Sequence, residues 1–265
     1  MLENVSFPMR AFCAATLCVL CAQASADVQI KVTVENLSPL NSIAFAPLRL
    51  GFGNGSFDAF NLGAVAGAPI ISVAEGGSGS AWLPAFAAAD AGANIGSVNG
   101  LLQHGEMRSA TFVVNATRNQ YFTFAAMVVP SNDFFIGNDS PTENRLFDDS
   151  GRLLMSSLTV KARDIWDAGS EVFDPAAAAF VGTNSLRSPQ NSVVSFNFAE
   201  LAGFNGLTTA ANYRFNSGLT ANSDVYRISF EALPVPEPQS MALMLAGLMT
   251  VGWLARKRRG SILGR

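Results

Sequence analysis

The chain has 265 residues, with 49% apolar side chains and 17 Lys and Arg against 20 Asp and Glu, enough to bury a core in one large domain or two small ones. Its three cysteines, Cys13, Cys18 and Cys21, fall within the first 26 residues, and the remainder holds a single histidine, His104. Beyond that point disulfide frameworks, zinc sites built on Cys or His pairs and cysteine nucleophiles are excluded.

The first element, Met1–Ala26, combines Arg10, the apolar run Ala11–Ala22 and the small-x-small site Ala24-Ser25-Ala26. It reads as a secretory signal peptide with cleavage before Asp27. Residues Asp27–Val235 then carry 11 Lys and Arg against 18 Asp and Glu, a net −7. No basic stripe is present to release phosphate counterions, which argues against nucleic acid as a partner. Val28, Ile30, Val32 and Val34 alternate with polar residues and predict a half-buried strand ended by Asn36-Leu37-Ser38-Pro39. Ile43–Leu50 continues as strand, interrupted at Pro47. Gly51–Asp58 is glycine-rich, but no Lys-Ser/Thr pair follows, so it reads as a turn rather than a phosphate loop. In the Ala- and Gly-rich stretch Gly63–Gly100, Ile70–Ala74 is expected to be a strand and Pro84–Ala91 a short helix. Gly76–Ser80 lacks the second glycine of a nucleophile elbow and reads as a loop.

Ala110–Val114 is a further strand. Tyr121–Val129 is apolar on both faces, as a central strand must be. It stops at Pro130 and opens into Ser131-Asn132-Asp133-Phe134-Phe135-Ile136-Gly137. A second β-patterned run, Leu153–Arg163, opens into Asp164-Ile165-Trp166-Asp167-Ala168-Gly169-Ser170-Glu171. Asp148-Asp149-Ser150-Gly151 between them is a turn. Asp174-Pro175 reads as a cap and first helical position for a short helix over Ala176–Phe180. Val194, Phe196 and Phe198, and again Tyr226, Ile228 and Phe230, alternate as closing strands. Many short strands between turns predict an all-β fold, an antiparallel β-sandwich with short helices.

Two sequence patterns resemble known families. Met127–Gly137 followed by Trp166–Glu171, with the opening Val32–Pro39 and the closing Tyr226–Phe230, resembles the spondin domain over roughly Val28–Ala232. The resemblance implies an antiparallel β-sandwich that binds one calcium ion through three acidic side chains, which match Asp133, Asp167 and Glu171 here. Glu171 stands where Asp is common in that family and is one methylene longer. Oxygen ligands held on loops by a rigid sheet are also what calcium, with six to eight oxygens, requires. Both loops follow strands, so they meet at one end only if Phe134–Arg152 makes a return pass, for which Phe134–Ile136 offers an apolar piece.

The far end, Val235-Pro236-Glu237-Pro238, the apolar run Ser240–Ala255 and the basic Arg256-Lys257-Arg258-Arg259, resembles the PEP-CTERM sorting signal. At ~1.5 Å per residue the apolar run reaches about 24 Å, a short hydrophobic helix for a membrane, and its basic flank stays cytoplasmic. The resemblance implies an exosortase-type processing partner, transient inner-membrane anchoring and delivery to the cell surface or an exopolysaccharide matrix.

The expected organisation is therefore residues 1–26 as leader, 27–233 as a spondin-like domain and 234–265 as sorting signal. The expected role is a non-enzymatic, calcium-binding module, adhesive or structural, with exopolysaccharide or a surface protein as partner. The rival is a glycoside hydrolase, because two carboxylates can meet from anywhere in a sequence. A serine triad would have to use His104 without a recognisable nucleophile motif. Trp166 beside Asp167 reads as core packing rather than a sugar platform.

Overall fold

A computed structural model describes residues 27–182, 186–234 and 245–252; the leader, the Pro236-Glu237-Pro238 motif and the basic cluster 256–259 lie outside the described residues. Among the described residues ten strands, β1 (Asp27–Asn36), β2 (Ala44–Phe45), β3 (Leu48–Gly53), β4 (Asn94–Val98), β5 (Met107–Asn115), β6 (Tyr121–Val129), β7 (Phe134–Gly137), β8 (Ser157–Lys161), β9 (Trp166–Asp167) and β10 (Asp224–Leu233), form two antiparallel sheets. One sheet has the order β5-β1-β10-β8; the other runs β4-β3-β6-β7-β9, with β2 pairing the end of β6. The sequence pattern explains the layering. Ile30, Val32 and Val34 of β1 and Tyr226, Ile228 and Phe230 of β10 face Leu50, Phe52, Phe122, Phe124 and Val128 across one buried core. This is a β-sandwich, as the alternation predicts.

The second sheet is covered on its other face as well. Helices α1 (Ala68–Gly76) and α2 (Trp82–Ala89) pack Ile70, Val73, Trp82 and Phe86 with Phe57, Phe60, Ala125 and Phe135. Strand β6 therefore has buried neighbours on both sides, which is why Tyr121–Val129 lacks any polar alternation. Gly51 makes room for this layer, since a Cβ there would come within 2.3 Å of the Phe86 ring.

Ile70–Ala74 is not a strand. It lies inside α1, which has a proline in its first turn and ends at Gly77, φ 60°, whose N–H donates to Val73 O at 2.8 Å. A helix start at proline and a left-handed glycine stop outweigh the β-branched content of five residues. The helix near Pro84–Ala91 is present two residues earlier, as α2. Ala176–Phe180 forms a turn capped by Asp174 rather than a helix. Val194–Phe198 contributes one isolated bridge, Ser195 to Asp167, and Phe198 begins a 3-10 segment, Phe198–Phe204. Near the C-terminus, Leu245–Gly252 is helical with exposed side chains. Among the described residues no helix is long and apolar enough to cross a membrane.

Candidate metal centre

β6 ends at Val129, and the next three polar residues turn inward rather than out. Ser131, Asn132 and Asp133 are all buried. Buried polar groups need partners, and these have them. Ser131 Oγ donates to Val128 O at 2.5 Å and accepts from Phe134 N at 3.1 Å, closing the turn into β7. Asn132 makes a reciprocal pair with Asp174, donating to its carbonyl at 3.2 Å and accepting from its N–H at 3.0 Å. Strand β7 then returns antiparallel to β6, with Ala126 opposite Ile136, and β9 pairs with β7, Phe134 opposite Asp167. The return pass that the sequence requires is thus made by Phe134–Gly137.

This topology brings the loop after β6 against the segment Asp167–Glu171. Asp133 Oδ2 accepts from Ser170 N at 2.7 Å, Glu171 N at 3.0 Å and Ser170 Oγ at 3.2 Å, and its carbonyl accepts from Ala168 N at 3.1 Å. Asp167 Oδ1 accepts from Gly169 N at 2.6 Å. Gly169 sits at φ +66°, where a Cβ would approach Val193 O to 2.8 Å, so glycine is required there on both counts. Glu171 is 5% exposed; its Oε1 accepts from Arg187 Nη1 at 3.1 Å, and its Oε2 is buried with no hydrogen-bond donor among the described residues. Arg187 Nη1 also donates to Glu75 O, in the last turn of α1, at 3.0 Å.

Electrostatics set these carboxyls apart from ordinary loop acids. Burial pushes Asp167 up to about 7, and the charge of Asp133 adds to it, against the Gly169 N–H. Burial likewise pushes Glu171 up to about 7; the Arg187 charge opposes this, while Glu75 and Asp133 reinforce it. Asp133 is raised by burial in spite of its three donors. The contrast is Asp148 in the exposed turn, held down at about 2 by Ser150 and Arg152 donors.

The structure therefore brings the backbones of Asp133, Asp167 and Glu171 into contact. Each of the three carboxylates spends one oxygen on protein donors, and its other oxygen receives none among the described residues. An orphaned, buried anionic oxygen on Glu171 and an all-oxygen donor set fit a hard cation. The three side chains are not drawn together as a ready-made metal group among the described residues. Glu171 instead holds the Arg187 guanidinium.

Three participants carry no signal in the sequence: Arg187, Glu75, and Glu200, whose charge acts on Asp167 and whose Oε2 is buried without a donor among the described residues. Trp166 donates from Nε1 to Gly137 O at 3.1 Å and lies 6.1 Å from the Phe60 ring, so its role is packing, as expected. His104 donates from Nδ1 to Ser38 O at 2.5 Å, which ties down a turn.

Residues 234–259 match the model of the PEP-CTERM protein-sorting motif. The comparison with curated proteins gives no match. PEP-CTERM signals are recognised by exosortase, so the motif implies an exported, surface-directed protein whose precursor is anchored in the membrane.

Proposed function

We propose that this protein is a non-enzymatic, spondin-like β-sandwich that carries one calcium ion at Asp133, Asp167 and Glu171 and serves an adhesive or structural role at the cell surface or in its matrix. The observation that carries the reading is the buried Oε2 of Glu171, without a donor among the described residues, on a segment that also bears Asp167 and whose N–H groups bind Asp133. The resemblance of Met127–Gly137 and Trp166–Glu171 to the spondin motifs supports it. Calcium, when bound, supplies charge that neutralises mutually repelling carboxylates. Asp133 would anchor the site, because its other oxygen is fixed by backbone donors. Asp167 and Glu171 would join their loop to it. The experiment is thermal unfolding of the purified full chain in EDTA and in calcium. A hundredfold excess over the dissociation constant stabilises by ~2.7 kcal/mol, and Asp133→Asn abolishes the gain. No bound calcium on metal analysis, together with identical melting in both buffers, refutes the reading.

One observation favours the rival. A 270 Å³ cavity between β7 and β8 is lined by Asp139, Glu143, Asp164 and Trp166, and burial followed by the charges of Asp139 and Asp164 raises Glu143. Paired carboxylates, one of them raised, are the equipment of a glycoside hydrolase. Release of new reducing ends from purified exopolysaccharide, lost in Glu143→Gln, replaces the non-enzymatic reading with that one.

A further inference from the structure

We propose that Arg187 is the resident counter-ion of the carboxylate cluster, so that calcium and the Arg187 guanidinium compete for Glu171. The inference rests on the calcium reading and adds to it a residue outside the three acids. Arg187 and Glu171 form the most deeply buried ion pair among the described residues, with side chains 19% and 5% exposed. A buried pair that serves stability is expected to be bidentate, with its remaining donors and lone pairs satisfied. This one is not. It is made through Nη1 alone, and that nitrogen is shared with Glu75 O. Glu171 Oε2 and Arg187 Nε are both buried without a partner among the described residues. The guanidinium contributes its charge more than its fork.

The need for that charge is visible around it. Asp133 and Glu75 both act on Glu171 as like charges, and Asp133 acts in the same way on Asp167. Among the described residues Arg187 is the cation paired with these carboxylates, and it is paired through Glu171. Its other contact, to a carbonyl at the C-terminal end of α1, is one that any guanidinium finds favourable, so Arg187 can leave Glu171 while α1 keeps its cap. A divalent ion offers the cluster more charge than Arg187 does, and it meets one bond to Glu171 rather than two.

The test is calcium titration of the full chain by calorimetry, with thermal unfolding in EDTA, for wild type, Arg187→Gln and Arg187→Lys. Competition predicts that Arg187→Gln melts lower than wild type in EDTA yet binds calcium more tightly, by on the order of tenfold, since one opposing charge a few ångströms away is removed. Arg187→Lys keeps the charge and stays within about threefold of wild type. Unchanged or weaker binding in Arg187→Gln, with wild type binding normally, makes Arg187 a structural residue and overturns the inference while the calcium reading stands. No binding to wild type overturns both. Should Arg187→Gln fail to fold, the wild-type Arg187 Nε–H resonance decides: competition requires it to shift as calcium is added, and an unmoved resonance at calcium saturation overturns the inference.

Discussion

Asp133 is the residue on which the loop cluster turns, and two substitutions separate its scaffold role from its charge. Its Oδ2 accepts two backbone N–H groups and one hydroxyl at a position 1% exposed. Asp133→Ala strands the amides of Ser170 and Glu171 in a buried site, at ~1–3 kcal/mol each, whereas the Ser170 hydroxyl can rotate away. The expected loss is about 2–6 kcal/mol. Asp133→Asn keeps an acceptor in the same place. It gives up the charge-assisted part of three bonds but also removes a like charge from Asp167 and Glu171, so its loss is about 1–2 kcal/mol. For a domain of this size a kilocalorie moves the melting temperature by roughly 2–4 °C, so at the midpoints of these ranges, a gap of about 2.5 kcal/mol, the alanine variant melts roughly 5–10 °C below the asparagine variant. Both are measured in EDTA by circular dichroism, with guanidinium unfolding as a second readout, which keeps metal linkage out of the comparison. Equal melting temperatures would mean that water satisfies the stranded amides, and the claim that Asp133 nails the two loops together would then be wrong.

Two other perturbations follow from the same accounting. Asn36, also 1% exposed, donates to Ile43 O and Leu102 O at 2.9 and 3.0 Å and accepts from Ser38 N at 2.9 Å; Asn36→Ala therefore costs about 2–4 kcal/mol, read as a lower unfolding midpoint, and a neutral result refutes the role of this bracket at the end of β1. The pH dependence has a fixed sign: Asp167 and Glu171 are raised to about 7, so their protonated forms favour the fold, and stability in EDTA falls as pH rises from about 4 through 7. Asp148, held at about 2, works the other way, its contribution being lost as pH falls below the ordinary Asp range. Carbon-detected titration of the carboxyls checks both; an Asp167 midpoint near 4 refutes the burial argument.

The sheets were legible because a strand's environment is set by its own period. Ile30, Val32 and Val34 announce β1, and the unbroken apolar run of β6 announces a strand covered on both faces. Where a period is too short to count, flanking residues decide. Ile70–Ala74 reads as strand by content and folds as helix because a proline and Gly77 bracket it. Phe196 and Phe198 show the opposite failure: they alternate, but their segment meets β9 through the single bridge Ser195–Asp167, and Phe198 opens a 3-10 turn.

The site divides along the same line. Asp133 and Glu171 lie 38 positions apart, and what joins them is a backbone N–H donated to a carboxylate, a contact that every residue but proline can offer. No pattern in the sequence can single out such a partner. Arg187 is different in kind, since its charge is specific to its side chain, but it reaches Glu75 across 112 positions. The register of α1 against the second sheet fixes that distance. A single residue's shift in α1 would turn the carbonyl of Glu75 away and cost Arg187 Nη1 one of its two acceptors. The stop of α1 at Gly77 thus sets where Arg187 finds its second acceptor, although no atom of Gly77 touches a carboxylate of the cluster among the described contacts.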